Sequence, residues 1–483
     1  MSDLVSAHLP LRLKLFHGLG ALAYGVKDNG FSTFLLIFYS QVIGLDAKLV
    51  SLALMFALLA DALIDPLIGN LSDRTYTRWG RRHPWLYLAP VPLGLAWLLL
   101  WSPPSDHTHI FLYLVSVAVL VRTLVSCCEV PSQSLVAELT SDYDERTVLT
   151  KFRYLFAWSG GLLMYALANA VFLRPDALHK VGQLNPAGYW RFGLYGAVIM
   201  AATVLFSAWG QHARIAKLPA AVPPKATLAG IADEIGAALR HPAAVIILGA
   251  MLINIASNQF NLAVSNYLYL YVWRFTPANF ALLPLILLFT VIAAFVLVQP
   301  LQHRFGKRNT ALGGMAFSLT FALTPFVLRL AGVWPAPSSL ASALSLMSCI
   351  FVANIAAIIT SMCGQSMLAD VVEASFEQTG RRSEGTFAAG WMFVQKCGTA
   401  VGIGLTGLLV SLAGLPAKAV PGQVDPAVID RITIGYGMVA LLAAAGSALI
   451  LRRFPITRAN HEVRLAALAA AANVNPDAAG MHP

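Results

Sequence analysis

The chain has 483 residues and a formal net charge of +10, yet only 12% of its residues are charged, 58% are hydrophobic, and the mean hydropathy is +0.68. Soluble proteins carry about 25% charged residues, so the composition excludes an ordinary soluble protein and indicates a membrane protein. We place about 21 lysines and arginines on the cytoplasmic side, about 8 outside and about 4 within helices, which predicts cytoplasmic termini. No basic run is interleaved with exposed aromatic residues, so the charge does not indicate nucleic-acid binding.

Mostly apolar stretches occur about twelve times, each long enough to cross a bilayer as a helix. They lie at roughly 16–43, 48–72, 85–102, 109–138, 152–173, 190–210, 242–273, 279–302, 309–330, 339–370, 384–414 and 430–453. The sequence therefore predicts an all-α membrane protein with twelve transmembrane helices. The polar segment 211–240 is expected to be a cytoplasmic linker between the helical segments 1–210 and 241–455, and 456–483 a largely disordered cytoplasmic tail.

Charged residues interrupt the first two apolar runs. Lys27 and Asp28 lie in the first run, and Asp61 and Asp65 lie four residues apart on one helical face of the second. A charge near the middle of a membrane helix costs about 2.5–3.5 kcal/mol, so this pair should line a wet cavity or hold a cation. We interpret Asp61 and Asp65 as a coupling-ion site. The alternative is that one aspartate only pairs with a nearby basic residue to hold helices together.

Polar residues follow one face of the later runs as well. The fourth run carries Arg122, Ser126, Glu129 and Gln133, and the fifth carries Arg153 and Trp158. The seventh carries Asn254, Ser257, Asn258, Asn261 and Ser265, and the eleventh carries Trp391, Gln395 and Lys396. For the uncharged stripe of the seventh run, the alternative is that its side chains only join neighbouring helices by hydrogen bonds.

Four basic and four acidic side chains thus lie inside apolar runs: Lys27, Arg122, Arg153, Lys396, Asp28, Asp61, Asp65 and Glu129. Left unpaired at about 3 kcal/mol each, they would exceed the stability of a typical domain, so we expect them to converge on one hydrated cavity. Carboxylates, an arginine and an aromatic ring suit sugar hydroxyls and the apolar face of a sugar ring. Asp28, Glu129 and Arg153 provide the polar groups, with Trp158 or Trp391 as the ring. An amphiphile with a charged head would use the same donors.

Two loop motifs recur at matching places in the two halves. Arg78-Trp79-Gly80-Arg81-Arg82 after the second run corresponds to Arg304-Phe305-Gly306-Lys307-Arg308 after the eighth, and the loop after the fourth run corresponds to the loop after the tenth. The repeats predict two pseudo-symmetric six-helix halves with a site between them at mid-membrane. Chance similarity of basic loops is the alternative. We expect the halves to rock, changing contacts at the gating residues Asp73, Arg74, Arg81, Glu138, Asp142, Arg146, Asp370 and Arg381.

Several of these segments resemble the glycoside–pentoside–hexuronide:cation symporters, a family with the major facilitator fold. They are Tyr24-Gly25 with Lys27-Asp28, Asp61-x-x-x-Asp65-Pro66-x-x-Gly69, Arg78-Trp79-Gly80-Arg81-Arg82-x-Pro84-Trp85, and Glu129-x-Pro131 through Glu145-Arg146 to Arg153. The similarity continues through Asn254, Asn258, Asp370 and Lys396. The resemblance implies that Asp61, Asp65 and Ser126 bind the cation, with Lys396 close by. It also implies that Asp28, Glu129 and Arg153 bind a sugar, with Lys27 nearby.

The complete predicted solute-binding set is Lys27, Asp28, Glu129, Gln133, Arg153, Trp158, Asn254, Asn258, Trp391 and Lys396. Two positions depart from the family pattern. Ile64 stands where the sodium-using members carry an asparagine, and Gln133 stands where a tryptophan helps recognise the sugar. Hard cations need several oxygen ligands, whereas two close carboxylates readily share a proton. We therefore expect coupling to a proton, with a sodium ion at Asp61 and Asp65 as the alternative.

The sequence thus predicts a cation-coupled symporter that moves a glycoside or a related solute by alternating access. The first alternative is a lysolipid carrier of the same fold, because vertebrate lysolipid carriers look similar across the same segments. An intramembrane enzyme is disfavoured, because no catalytic or nucleotide-binding motif occurs. We expect a monomer without a cofactor, in a bacterial inner membrane, and the five cysteines to be free buried thiols.

Overall fold

The computed structural model of the protein describes residues 9–453, apart from Tyr76, His107, Ser141, Leu178, Lys180, 216–241, Ser338 and 380–383. The side chains at 137, 143–144, 215, 242–244, 369–379 and 384–389 also lie outside the description. Most of the predicted linker 211–240 and all of the predicted tail 456–483 therefore fall outside the described residues. The same holds for Arg381 and for the side chain of Asp370. The domain boundaries remain predictions.

Twelve helical runs follow one another along the described part of the chain. The first half contains α1 (Leu11–Asn29, continued by helical turns to Ile43), α2 (Ala47–Asp73), α3 (His83–Leu88 and Pro90–Leu100), α4 (Ile110–Leu139), α5 (Tyr143–Leu167, continued by Ala168–Phe172) and α6 (Pro186–Ile215). The second half contains α7 (Pro242–Tyr267, continued by Leu268–Val272), α8 (Pro277–Phe305), α9 (Lys307–Leu330), α10 (Leu340–Thr379), α11 (Glu384–Ala413) and α12 (Pro426–Leu451). Ten of them are single helices long and apolar enough to cross a membrane, and α1 and α3 are the interrupted ones.

Side-chain caps fix where several of these helices begin. The carboxylates of Asp46, Asp142 and Asp425 accept backbone N–H groups at the first turns of α2, α5 and α12. Thr276 does the same for α8. These caps satisfy amides that have no partner within the helix, and the cost of an unsatisfied amide is highest near lipid. A polar residue at the end of an apolar run therefore sets the boundary of the helix.

Small residues allow the helices of each half to pack closely. A Cβ atom at Gly25 of α1 would lie 1.8 Å from the carbonyl oxygen of Ala157 on α5, and one at Gly160 would lie 2.4 Å from the carbonyl oxygen of Leu22. Close backbone approach of this kind is the main source of helix association in membranes, where no hydrophobic force draws apolar helices together. This contact determines the rotation of α1 relative to α5 and therefore the direction in which Lys27 points.

The two halves contact each other strongly at one end of the bundle, where α1 ends and α2 begins. The contacts that cross the halves there are Ser40 Oγ to Tyr267 Oη at 2.6 Å, Asn266 Nδ2 to Thr33 O at 2.7 Å, Tyr271 Oη to Gln41 Oε1 at 3.0 Å, and Ser411 Oγ to Asp46 Oδ2 at 3.4 Å. A Cβ at Gly407 of α11 would lie 2.2 Å from Ser51 Oγ of α2, so the two backbones nearly touch. This end of the bundle is closed.

Candidate cation and solute site

The two aspartates of α2 converge on shared partners. Ser126 Oγ of α4 lies 2.9 Å from Asp61 Oδ1 and 2.6 Å from Asp65 Oδ1. Lys396 Nζ of α11 lies 3.0 Å from Asp61 Oδ2 and 2.5 Å from Asp65 Oδ2. Because α11 belongs to the second half, Lys396 joins the two halves through both carboxylates. The structure thus brings together the three residues predicted to bind the cation and the lysine predicted to lie beside them.

Arg122 also belongs to this cluster; the sequence analysis expected it at the shared cavity but did not include it among the cation-binding or solute-binding residues. Its Nη1 lies 3.3 Å from Asp61 Oδ2, and its guanidinium lies over the Phe31 ring at 4.6 Å from the centroid. The residue is only 6% exposed. The stripe on α4 was the available signal, since Arg122 precedes Ser126 by about one helical turn on the same face. Two carboxylates therefore face two basic side chains, and the formal charges of the cluster balance.

A second charged cluster lies next along α4, around Lys27 of α1. Lys27 Nζ lies 2.8 Å from Asp28 Oδ1 and 3.5 Å from Glu129 Oε2, and Gln133 donates a hydrogen bond of 3.3 Å to Glu129. The lysine side chain is buried, whereas the Asp28 side chain is 65% exposed. This cluster has one more carboxylate than cations and an accessible edge. It therefore has acceptor capacity left for the hydroxyl groups of a solute.

Arg153 lies near these groups without binding the predicted carboxylates. Its Nη1 donates to Ser132 Oγ at 2.6 Å, and its guanidinium lies 5.8 Å from the Tyr24 ring centroid. The structure does not bring the predicted tryptophans to the cluster. Trp158 is 58% exposed on a different face of α5 from the buried Arg153, and Trp391 packs against an apolar cluster of the second half. The aromatic face nearest Arg153 is therefore that of Tyr24.

The asparagines of α7 line a different space. Asn258 donates to Asn254 at 3.2 Å, and Ser361 donates to the same Asn254 oxygen at 3.3 Å. Together with side chains of α9, α10 and α12, they surround a cavity of about 80 Å³ inside the second half. No first-half residue lines this cavity. Asn254 and Asn258 therefore line a second-half cavity, and the hydrogen bond from Ser361 joins α7 to α10, as the helix-joining alternative expects.

Three of the predicted gating residues are bound together at the end of the bundle opposite the closed one. Arg81 and Arg82 both lie 2.8 Å from Glu138 Oε1, and Arg82 also lies 2.7 Å from Asp73 Oδ1. All of these ion pairs join parts of the first half. Arg82 was missing from the predicted set, although it stands in the basic motif after α2. Its buried guanidinium is the centre of this network.

The other gating residues that the structure describes have local roles here. Asp142 caps α5, Arg146 donates to the Thr140 carbonyl oxygen at 2.9 Å, and Arg74 is exposed at the end of α2. Glu145, which was not predicted, accepts from Lys14 at 3.0 Å and so ties α1 to α5. Within the described side chains, no ion pair at this end joins the two halves.

Comparison with known proteins places the chain among transporters. The family described as MFS/sugar transport protein matches residues 16–458. The isoprimeverose transporter of Lactiplantibacillus pentosus is 24% identical over 93% of this chain and 90% of its own. The sodium-dependent lysophosphatidylcholine symporter 1-B of Danio rerio is 25% identical over 85% of this chain and 81% of its own. The inward-open structure of the xylose transporter XylE from E. coli aligns with a TM-score of 0.59 at 17% identity, covering 92% of this chain and 96% of that one.

Proposed function

The chain belongs to the MFS/sugar transport protein family, and from that premise we propose that it is a proton-coupled symporter of a glycoside or a related sugar-like solute. Membership confirms the predicted resemblance and the predicted fold class, an all-α membrane protein with the major facilitator architecture. The single observation that carries the proposal is the position of Lys396, which binds both aspartates across the boundary between the halves. Binding of a cation to the aspartates therefore acts directly on their ion pairs with Lys396, a contact between the halves that must change when the halves move.

Proton coupling is supported by the contacts of Ser126. One hydroxyl carries one hydrogen and donates to one acceptor at a time, yet Ser126 Oγ lies within 2.9 Å of an oxygen from each aspartate. A proton on one carboxyl satisfies both contacts, because that carboxyl then donates to Oγ. The side chain of Ile64 contributes no oxygen ligand here, which makes the site poorer for sodium. Proton binding at one aspartate also weakens the ion pair with Lys396 and so frees the halves to move.

The sugar-like solute is supported by the second cluster and by relatives. Lys27, Asp28 and Glu129 offer a buried ammonium and two partly exposed carboxylates, which suit a ligand with many hydroxyl groups. Glu129 follows Ser126 by three residues on α4, so solute and proton would lie within one helical turn of each other. The isoprimeverose transporter shows that a relative of similar length moves a saccharide.

A lysolipid is the second candidate solute, because the lysophosphatidylcholine symporter of Danio rerio matches most of the chain. A lysolipid needs an apolar surface for its acyl chain beside the polar cluster. Many apolar side chains of the second half are exposed, among them Phe289 and Phe295 on α8, but membrane lipid would cover such a surface as well. The charged cluster favours the sugar, and a transport assay separates the two.

The closed end of the bundle is the outer one if the positive-inside bias sets the orientation, so the structure is inward-facing in this proposal. The protein then lies in a bacterial inner membrane with both termini in the cytoplasm and works as a monomer, since each chain holds a complete pair of halves. Proton and solute enter from outside in the opposite state and leave to the cytoplasm from this one. The Arg81, Arg82 and Glu138 network moves with the first half as a rigid unit.

The test is uptake into proteoliposomes that contain the purified full chain. Labelled glycosides, pentosides and lysophosphatidylcholine are offered under a pH gradient, a sodium gradient or neither. We expect a saccharide to accumulate with the pH gradient alone. Asp61→Asn should abolish accumulation while leaving exchange of solute, and the control Asp430→Asn, whose partner Arg329 lies 3.1 Å away outside the site, should keep accumulation. Uptake that strictly requires a sodium gradient would contradict proton coupling. Accumulation of lysophosphatidylcholine alone would contradict the assignment of a sugar-like solute.

A further inference from the structure

Every carboxylate oxygen in the aspartate pair already has a partner within this chain. Asp61 Oδ2 lies between Arg122 and Lys396, Asp65 Oδ2 binds Lys396, and both Oδ1 atoms contact Ser126. Two negative and two positive side chains thus balance. A metal cation could reach a carboxylate oxygen only by displacing one of these partners, whereas a proton on one carboxyl keeps the Ser126 contact, because that carboxyl then donates to Oγ.

The two basic partners differ in how they are held. Lys396 comes from the second half, so its distance from the aspartates can change when the halves move against each other. Arg122 comes from α4, which packs along α2 within the same half, so it stays beside Asp61 throughout a rocking motion. Phe31 supports the other face of its guanidinium at 4.6 Å. Its Nε is buried without a hydrogen-bond partner among the described residues, so the guanidinium is held by charge and ring contact more than by a complete set of hydrogen bonds.

We propose that Arg122 is a resident cation that takes the place of a metal ion at Asp61 and thereby makes the site refuse sodium. The inference rests on the proposed function, because it explains how this chain selects its coupling ion. Removal of the guanidinium leaves two carboxylates against Lys396 alone, with a net charge of −1, and Asp61 Oδ2 then has one partner in place of two. Carboxylate oxygens and the Ser126 hydroxyl are ligands that hard cations prefer. A neutral residue at position 122 therefore converts the site into one that binds sodium.

Binding of sodium to the purified full chain in detergent tests this proposal without knowledge of the solute. Equilibrium binding of labelled sodium and the sodium-dependent rise in melting temperature are measured for wild type, Arg122→Gln, Arg122→Met and Arg122→Lys. We expect at least about a tenfold gain in sodium affinity for the first two variants, since each 1.4 kcal/mol is a factor of ten. Arg122→Lys keeps the charge and should bind sodium as poorly as wild type. Arg329→Gln removes an arginine from an ion pair far from the site and is the matched control.

The outcomes separate this inference from the proposed function. Saturable sodium binding to wild type that Asp61→Asn abolishes would overturn the role of Arg122, and that measurement needs no arginine variant to fold. Folded Arg122→Gln that binds no more sodium than wild type would overturn it too, while proton-driven uptake by wild type would leave the proposed function intact. Suppose that Arg122→Gln binds sodium at Asp61 and that uptake by wild type needs no ion gradient. This result would support the proposed role of Arg122 and contradict the proton coupling of the proposed function.

Discussion

The Ser126 hydroxyl contacts both aspartates, so its removal tests whether it organises the two carboxylates. Ser126→Ala deletes the one hydroxyl that contacts Asp61 and Asp65. Hydrogen bonds to charged groups contribute about 1.5–3 kcal/mol, so we expect the apparent affinity for proton-driven uptake to fall by about tenfold to a hundredfold. The pH dependence and KM of uptake in proteoliposomes measure it. Ser126→Thr keeps the hydroxyl and should retain most activity.

The control for that substitution is Ser348→Ala on α10. Its hydroxyl bonds only the Leu344 carbonyl oxygen of its own helix, at 2.9 Å. Loss of this bond should leave uptake unchanged. Normal coupling in folded Ser126→Ala would show that the hydroxyl does not organise the carboxylates.

The sequence predicted which charged residues cluster, but it did not predict which contacts each side chain makes within the cluster. The cost of charges within apolar runs predicted that such side chains share a cavity, and the family resemblance predicted that Lys396 lies close to Asp61 and Asp65. The place of Arg122 could not be predicted, because the rotation of α4 decides whether its guanidinium faces α2 or the solute. The exposure of Trp158 could not be predicted for a related reason, because a residue's position on a helix does not reveal which neighbour covers that face.

At the scale of helices, the contact between α1 and α5 depends on Gly25. A side chain there would collide with the Ala157 carbonyl oxygen, since even a Cβ would lie 1.8 Å from it. Gly25→Val should therefore push the two helices apart and destabilise the protein by about 3 kcal/mol or more, the upper end of overpacking costs, and so lower its melting temperature in detergent. Gly249→Ala is the control, because nothing lies within 4 Å of a Cβ at that glycine of α7. Equal melting temperatures for the two variants would contradict the observed packing.

The sequence predicted helix boundaries where the polarity of the residues changes. It did not predict interruptions at which only the backbone conformation changes. The run 48–72 corresponds to α2 within one residue at each end, since Asp46 caps its start and the basic loop follows it. The run 85–102 is broken at Ala89, before Pro90, whose missing N–H interrupts the helix. The wider turns at Gly30–Phe34 and Phe38–Ile43 in α1 have no such signal. Both stretches contact α7, through Thr33 with Asn266 and through Ser40 with Tyr267, and hydropathy does not encode these contacts.

At the scale of the whole molecule, the polar contacts at the closed end determine the state of the carrier. Ser40, Gln41, Tyr267 and Tyr271 looked like ordinary residues near the ends of apolar runs, and only the assembled halves show that they pair across the boundary. Several hydrogen bonds of modest individual strength hold this end together. Such an interface can hold this end closed and still open, because each bond is weak by itself. Alternating access therefore requires that these contacts break in every cycle.

A reversible link across the closed end tests this requirement. Asp46 and Ser411 contact each other from the two halves at 3.4 Å, so the pair Asp46→Cys with Ser411→Cys can be joined by oxidation or by a short thiol-reactive linker. The five native cysteines, Cys127, Cys128, Cys349, Cys363 and Cys397, are first replaced by serine or alanine. We expect the link to abolish uptake, because the closed end can no longer open, and reduction of a disulfide to restore it. Each single cysteine variant, treated in the same way, should keep its uptake. Full uptake by the linked protein would mean that this end stays closed during transport and that solute takes another path.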